Sequence, residues 1–319
     1  MAGTRWDPNA VLKDLTLIVE DTLVVTRPNL YPLIASVKEA DGAYTRIPIA
    51  NNVAMPRKFE GERSQQGKDV TIVQNYDQQT YELTIDIDAD LLKDGKAYDQ
   101  SDLVREATMS AVQFPDYLMS QAVINGSSSL AYDSQDFYVS TALHNFAGVP
   151  GNAFHNASAN TGQTVTAISA DFGTAVAGIK GVKDSTGRLL NQQRDYTKTD
   201  ILIQAPLSLE MQMRAFLHNN FIPVSAPVTN SGTAAVGASN VFVGQADLFL
   251  DGYLSGNSWY VHMVSRPQRP FVYIEDYPMQ VKVLGLDSEF CVNFNKVRIA
   301  LKHRFVIGYY RTDRSYKIV

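Results

Sequence analysis

Pro56–Val73 reads PRKFEGERSQQGKDVTIV. Charged and polar residues crowd this stretch, and Phe59 is its main apolar side chain before Asp69. Strand-like patterns flank it on both sides. Before it, YTRIPIA (Tyr44–Ala50) alternates as an edge-like strand. After it, TYELTIDID (Thr80–Asp88) alternates without a fault, with Tyr81, Leu83, Ile85 and Ile87 on one face and Glu82, Thr84, Asp86 and Asp88 on the other. Such a run of period two is a strong strand signal. Two strands around an exposed polar tip make a long hairpin. An isolated two-stranded ribbon is marginal in water. The segment between Tyr44 and Ile87 is therefore expected to take its order from another molecule rather than from its own domain.

Working outward, residues 1–36 form a weakly patterned arm, with Val11, Leu15, Leu17, Ile18 and Val19 compatible with a short helix or an extended segment. The prolines of TRPNLYP, Pro28 and Pro32, break any helix there. Downstream of the hairpin, DQSDLVREATMSAVQFPDYLMSQAVING predicts a long helix, capped by Asp99 or Ser101 and ended by Gly126. Leu103, Ala107, Phe114, Leu118 and Ala122 make its apolar stripe, and Pro115 should bend or divide it. SADFGTAVAGIKGV reads as a second helix with Ser169 as its cap. DILIQAP reads as a buried strand, after which Pro206 opens a third helix with Leu209, Met213 and Phe216 or Leu217 inward. TNSGTAAVGASN is a low-complexity loop. Strands are expected at VFVGQADLFL, SWYVHMV, FVYIE, MQVKVLG and FCVNFN, and a long one runs from Val297 to Tyr310. In that last strand Val297, Ile299, Leu301, His303 and Phe305 share one face, and Arg298, Lys302 and Arg304 the other.

The 319 residues are 45% hydrophobic and 19% charged, so the chain folds and can hold two or three subdomains. No stretch approaches the roughly 18 apolar residues needed to cross a membrane. Charges interrupt the apolar part of the N-terminus, unlike a signal peptide. One cysteine, Cys291, excludes an intrachain disulfide and a cysteine-rich metal site, and its strand-like surroundings suggest a buried small hydrophobe in a protein made in a reducing cytoplasm. The net charge is −5, against a general duplex-coating role. The sign is uneven: residues 266–319 carry ten basic and five acidic side chains, so the rest holds an excess of ten negative charges. Either this is ordinary solvated surface, or one part of each copy meets an opposite charge on another.

Motifs for chemistry are sparse. HExxH, GxSxG, phosphate-loop and dinucleotide fingerprints are missing from the sequence. His144 could pair with Asp133 or Asp136, as a structural hydrogen bond or, in an enzymatic reading, as part of a metal-dependent hydrolase. His218 sits near a helix end, and His262 and His303 lie in strand contexts. Asp86, Asp88, Asp90 and Asp94 cluster without the spacing of a calcium loop, and capping or solvated charge is the expected role. No catalytic residue, cofactor or metal ligand is assigned.

Several segments together resemble one family. PRKFEGERSQQ, VQNYDQQTYELTIDIDADLLKDGKAYD, YDSQDFYVSTALH, SADFGTAVAGIKGVKDSTGRLL and DILIQAPLSLEMQMRAFL occur in an order similar to that of the major head proteins of tailed phages, of the Mu-like type. The Glu60-Gly61-Glu62-Arg63 tip and the acidic strand-to-helix passage are the more specific signs, while the C-terminal third departs from the family. The resemblance implies an α+β, HK97-like capsid fold and a non-enzymatic subunit that self-assembles through pentamers and hexamers into an icosahedral head around double-stranded DNA. It implies an N-terminal arm (1–36), an extended loop (42–86), a peripheral domain (87–195) with a spine helix (99–125), a largely axial domain (196–264) and a return to the peripheral sheet (265–319). Arg57, Lys58, Phe59, Glu60, Glu62, Arg63 and Lys68 would then contact neighbouring copies. Scaffold, portal and decoration proteins are the further partners implied, with packaged DNA touched only weakly. The place would be the virion capsid, assembled in the host cytoplasm. Another virion component, from a tail or a shell decoration, is the alternative.

Overall fold

The structure is a computed structural model that describes residues 7–42, 44–49, 72–94, 96, 100–141, 143–144, 153–183, 187–191, 196–222, 238–265 and 267–319. The arm is a helix, α1 (Pro8–Val25). Asp7 caps it by accepting from the Asn9 amide at 3.0 Å, and Pro8 presets the first turn. Val11, Leu12, Leu15 and Val19 recur at helical spacing and are buried. A short helix, α2 (Tyr31–Ile34), leads into β1 (Ala35–Glu39), then β2 (Tyr44–Ile49), β3 (Ile72–Asp77) and β4 (Gln79–Asp88). After α3 (Ala89–Lys93) comes α4 (Ser101–Asn125), then β5 (Ala157–Ser158) and α5 (Val165–Gly181). The chain continues through β6 (Ile201–Pro206), a 3-10 turn at Leu207–Leu209, α6 (Glu210–His218), β7 (Phe221–Ile222), β8 (Ala238–Ser239) and β9 (Asp247–Asp251). It ends with β10 (Trp259–Met263), β11 (Phe271–Leu284), α7 (Glu289–Phe294), β12 (Lys296–Tyr309) and β13 (Ser315–Ile318).

Two sheets organise these elements. The first has the order β1-β11-β12-β4, the second β5-β13-β10-β6-β9. Helices α1 and α4 cover one face of the first, where Val11, Leu15, Val19 and Val104 pack with Ile85, Ile87, Val297, Ile299 and Leu301. Helices α5 and α6 cover the second, burying Phe172, Met213 and Phe216 with Ile203, Trp259 and Val261. A third apolar layer joins the two, with Met119 and Val123 of α4, Phe137, Tyr138, Leu202, Tyr260, Phe271, Tyr273 and Phe305. Asp116 of α4 further fixes α2 by accepting the backbone amides of Asn29, Leu30 and Tyr31.

Several elements differ from the sequence expectation. Helix α4 runs unbroken through Pro115, a rod of about 37 Å at 1.5 Å per residue. Its buried stripe is Val104, Thr108, Pro115, Met119 and Val123, one position away from the expected one, and Leu103 is exposed. Gln100 occupies the N-cap without a side-chain bond, Ser101 is the first helical residue, and Asp99 lies outside the described residues. Gly126 does end the helix, in right-handed conformation rather than left-handed. Helix α5 starts four residues before Ser169, at Val165, because Thr164 caps it by accepting from the Ala167 amide at 3.2 Å. FCVNFN is α7, not a strand: Ser288 accepts from the Cys291 amide at 3.2 Å, and Asn295 ends the turn with φ of 52°. Cys291 is buried, but in a helix. FVYIE and MQVKVLG are one strand, β11, with register shifts between Glu275 and Gln280. The boundaries at 195 and 265 do not follow the sheets. Helix α5 packs on the second sheet, and β13 lies within it.

Candidate subunit interface

The hairpin leaves the body at a defined joint. Strands β2 and β3 pair antiparallel from Tyr44–Asp77 to Ile49–Ile72. Gln78 alone separates β3 from β4, which pairs with β12 from Asp88–Lys296 to Gln79–Phe305. Where that pairing ends, the hairpin base packs on the same sheet. Ile47 and Tyr76 are buried there with Val272, Ile274 and Tyr310. The Tyr76 hydroxyl donates to the Tyr309 carbonyl, and its ring lies against Gly308. The expectation for Tyr44–Ile87 is corrected accordingly. Both β4 and the hairpin base are ordered within the chain, because their apolar faces find burial there. Gln78, at the strand exit, keeps both side-chain amide atoms buried without a hydrogen-bond partner. The expected contact residues Arg57, Lys58, Phe59, Glu60, Glu62, Arg63 and Lys68 lie outside the described residues.

The outward side of α4 is flanked by a row of clefts. One of about 270 Å³ lies toward α1, between Ile18, Val25, Arg105 and Met109. The next, about 290 Å³, is lined by Met109, Gln113, Phe114, Tyr117 and Tyr253. A third, about 230 Å³, opens toward the sheet between Phe114, Tyr81, Leu301 and Phe305. Met109 and Phe114 are shared between neighbours, so the clefts form one track. Val25 is 78% exposed and Tyr253 55%, an apolar surface without cover from the described residues.

The sites considered for chemistry are occupied structurally. His144 is fully buried, with Nδ1 2.8 Å from Asp133 Oδ2 and Nε2 3.1 Å from the Phe137 carbonyl, so both nitrogens are engaged. Asp133, rather than Asp136, is the partner. Asp86 binds Arg298 in a two-point pair at 2.6 and 2.8 Å, and that bond holds its carboxyl below the usual range. Asp88 caps α3 by accepting from the Asp90 amide at 2.8 Å, while Asp90 meets Lys93 at 3.0 Å and Asn295 at 2.8 Å. Asp94 is the C-cap residue of α3. His218 ends α6, where its position suits the helix dipole. His303 faces Glu275 at 2.8 Å, which lowers the Glu275 pKa.

Residues 24–170, which contain the hairpin and α4, match the model of the Mu-like prophage major head subunit gpT. A comparison with individually characterised proteins by sequence finds no match. Among solved structures, the procapsid of bacteriophage JBD30 aligns at 16% identity and TM-score 0.51, over 97% of this chain and 74% of that one. The virus-like particle from Pyrococcus furiosus aligns at 10% identity and TM-score 0.55, over 96% and 98%. The capsid of Cyanophage P-SCSP1u gives 9% identity and TM-score 0.56, over 92% and 88%. The fold is therefore the HK97-like phage capsid fold.

In this fold a buried polar chain ties α4 to the second sheet, a feature the sequence did not reveal. The Ser120 hydroxyl donates to Asp251 Oδ2 at 2.6 Å, and Gln204 Nε2 donates to the same oxygen at 2.6 Å. Gln204 Oε1 lies 3.0 Å from His262 Nε2, and His262 Nδ1 2.9 Å from Ser315 Oγ, itself 2.6 Å from the Tyr138 hydroxyl. The Gln204 amide sets the direction. Its nitrogen serves the carboxylate, so its oxygen accepts from His262 Nε2–H, and His262 Nδ1 accepts from Ser315. Burial pushes the His262 pKa down to about 3, so the ring is neutral. All six side chains are buried, and a chain this complete rigidifies the junction.

Proposed function

We propose that this chain is a major capsid protein whose copies associate as pentamers and hexamers into a closed icosahedral head around phage double-stranded DNA. The observation that carries the reading is the family match over the region holding both the hairpin and α4. The first sheet with α1 and α4 is the peripheral domain, and the second sheet with α5 and α6 the axial one. The hairpin of one copy lies along the cleft track beside α4 of a neighbour. Apolar contact with Val25, Met109, Tyr117 and Tyr253 supplies most of the cohesion, at roughly 25 cal/mol per Å² buried. Charges at the tip, Arg57, Lys58, Glu60, Glu62, Arg63 and Lys68, set register and reject wrong neighbours, since an exposed ion pair adds only about 0–1 kcal/mol. Net acidity suits a container whose lining must not hold DNA tightly. The head is assembled in the host cytoplasm with scaffold, portal and decoration proteins as further partners.

Electron microscopy of the purified protein at rising concentration tests the reading. Shells of uniform size are expected. A protein that stays monomeric throughout would defeat it. Arg63→Glu should fold normally and assemble badly, and normal shells from that variant would remove the tip from the interface.

A further inference from the structure

Among the described residues, three glycines lie so close under a tyrosine ring that a β-carbon would collide with it. A β-carbon on Gly126 would stand 2.6 Å from Tyr138, and one on Gly178 2.6 Å from Tyr316. On Gly308 it would fall closer still, against Cε1 and Cδ1 of the Tyr76 ring. None of the three has a positive φ, so each is required for space and not for backbone freedom. The first two seats lie where α4 meets the loop at Tyr138 and where α5 meets β13, each within a large apolar cluster. The third holds something different, the root of the hairpin.

We propose that Gly308 and Tyr76 form the seat that sets the direction in which the hairpin leaves the subunit, and hence where it lands on a second copy. This rests on the reading of the chain as a shell subunit whose hairpin lies on its neighbour. Among the described hairpin residues, the buried side chains are Thr45, Ile47 and Tyr76, and these anchor it to the body. Tyr76 is the largest, and it is held at both ends. Its ring rests on the Gly308 backbone, and its hydroxyl is tied to the adjoining Tyr309 carbonyl. Gly308 cannot retreat, because it is registered opposite Val272 in the β11–β12 ladder. Any side chain at 308 therefore lifts Tyr76 and tilts the strand that carries it. The described strands alone reach about 20 Å at 3.3 Å per residue, so a tilt of about 10° shifts their far end by about 3 Å. That error exceeds the tolerance of a packed interface.

The test compares Gly308→Ala with Gly126→Ala and Gly178→Ala in the full chain. Unfolding midpoints are read together with the yield of closed shells by electron microscopy, at a temperature well below every midpoint. All three variants should lose stability. Gly308→Ala alone should lose at least tenfold in yield of uniform shells or give shells of altered size. Tyr76→Leu empties the seat without overpacking it and should show the same loss, which covers the case of a misfolded Gly308→Ala. The proposal is overturned if Gly308→Ala and Tyr76→Leu assemble as well as the two control variants, or if shell yield simply follows stability across the set. Absence of shells from the unaltered chain would instead count against the head-subunit reading.

Discussion

Acidification should destabilise this protein through one neutral histidine. His262 is wholly buried, and its pKa falls from the ordinary 6.5 to about 3 through burial. Unfolding releases the ring to bind a proton at any pH between those values. The folded-state pKa is depressed, so its full contribution is present above pH 6.5 and is lost as pH falls toward 3. At about 1.4 kcal/mol per pH unit, the loss reaches about 2 kcal/mol at pH 5 and about 3 kcal/mol at pH 4. The control is His262→Asn, which cannot titrate. It should be less stable at pH 7 by about 1–3 kcal/mol, because Gln204 and Ser315 lose a partner. Its further loss between pH 7 and pH 5 should be smaller than that of the unaltered chain by about 2 kcal/mol. Urea unfolding at each pH, with both proteins in the same assembly state, gives the difference directly. Identical acid dependence in the two would show that His262 already carries a proton when folded, and the directional reading of the chain from Tyr138 to Asp251 would fall with it. Nitrogen NMR adds a second check, since the proton should sit on Nε2.

Two further outcomes test the packing. Met119→Ala should cost about 2–5 kcal/mol in urea unfolding and Leu103→Ala no more than about 0.5 kcal/mol, because the first is fully buried and the second exposed; equal costs would return the buried stripe to the position first expected. Gln78→Met should raise the stability of the unassembled protein by about 1 kcal/mol, since both amide atoms are buried without partners; a loss of stability would mean that the amide is satisfied in solution.

The parts of the fold legible in the sequence are those with one buried face and a clean period. Strands β4 and β12 alternate because one side meets α1 and α4, and their facing rows of Ile85, Ile87, Val297 and Ile299 were readable as such. Strand β6 was readable as a buried run. Helix α4 was readable in extent but not in phase. Thr108 and Pro115 are among its buried residues, and composition marks them as polar and as a breaker. FCVNFN has a period of two by accident, and the Ser288 cap and the Asn295 left-handed stop outweigh it over so short a length. A pairing of His144 with Asp133 or Asp136 was anticipated from proximity in the chain, and the structure selects Asp133. The hairpin seat was not, since Tyr76 and Gly308 are far apart in sequence and a glycine in a strand gives no hint of the ring above it. The polar chain from Ser120 to Tyr138 draws one residue from each of several distant elements and leaves no local pattern at all.

The order of strands also bears on how the molecule is made. In the first sheet the two central strands, β11 and β12, are among the last to be synthesised, while the flanking β1 and β4 come early. The second sheet differs, since the inner strand β6 and the edge strand β9 that pairs with it are both made before β10 and β13. A growing chain thus holds both edges of the first sheet before it holds the two strands that join them. Since such distant pairings form slowly, translation itself acts as a timer. Strands β2 and β3 are made before β11 and β12, so the hairpin base finds the packing that buries Ile47 and Tyr76 only after those later strands emerge.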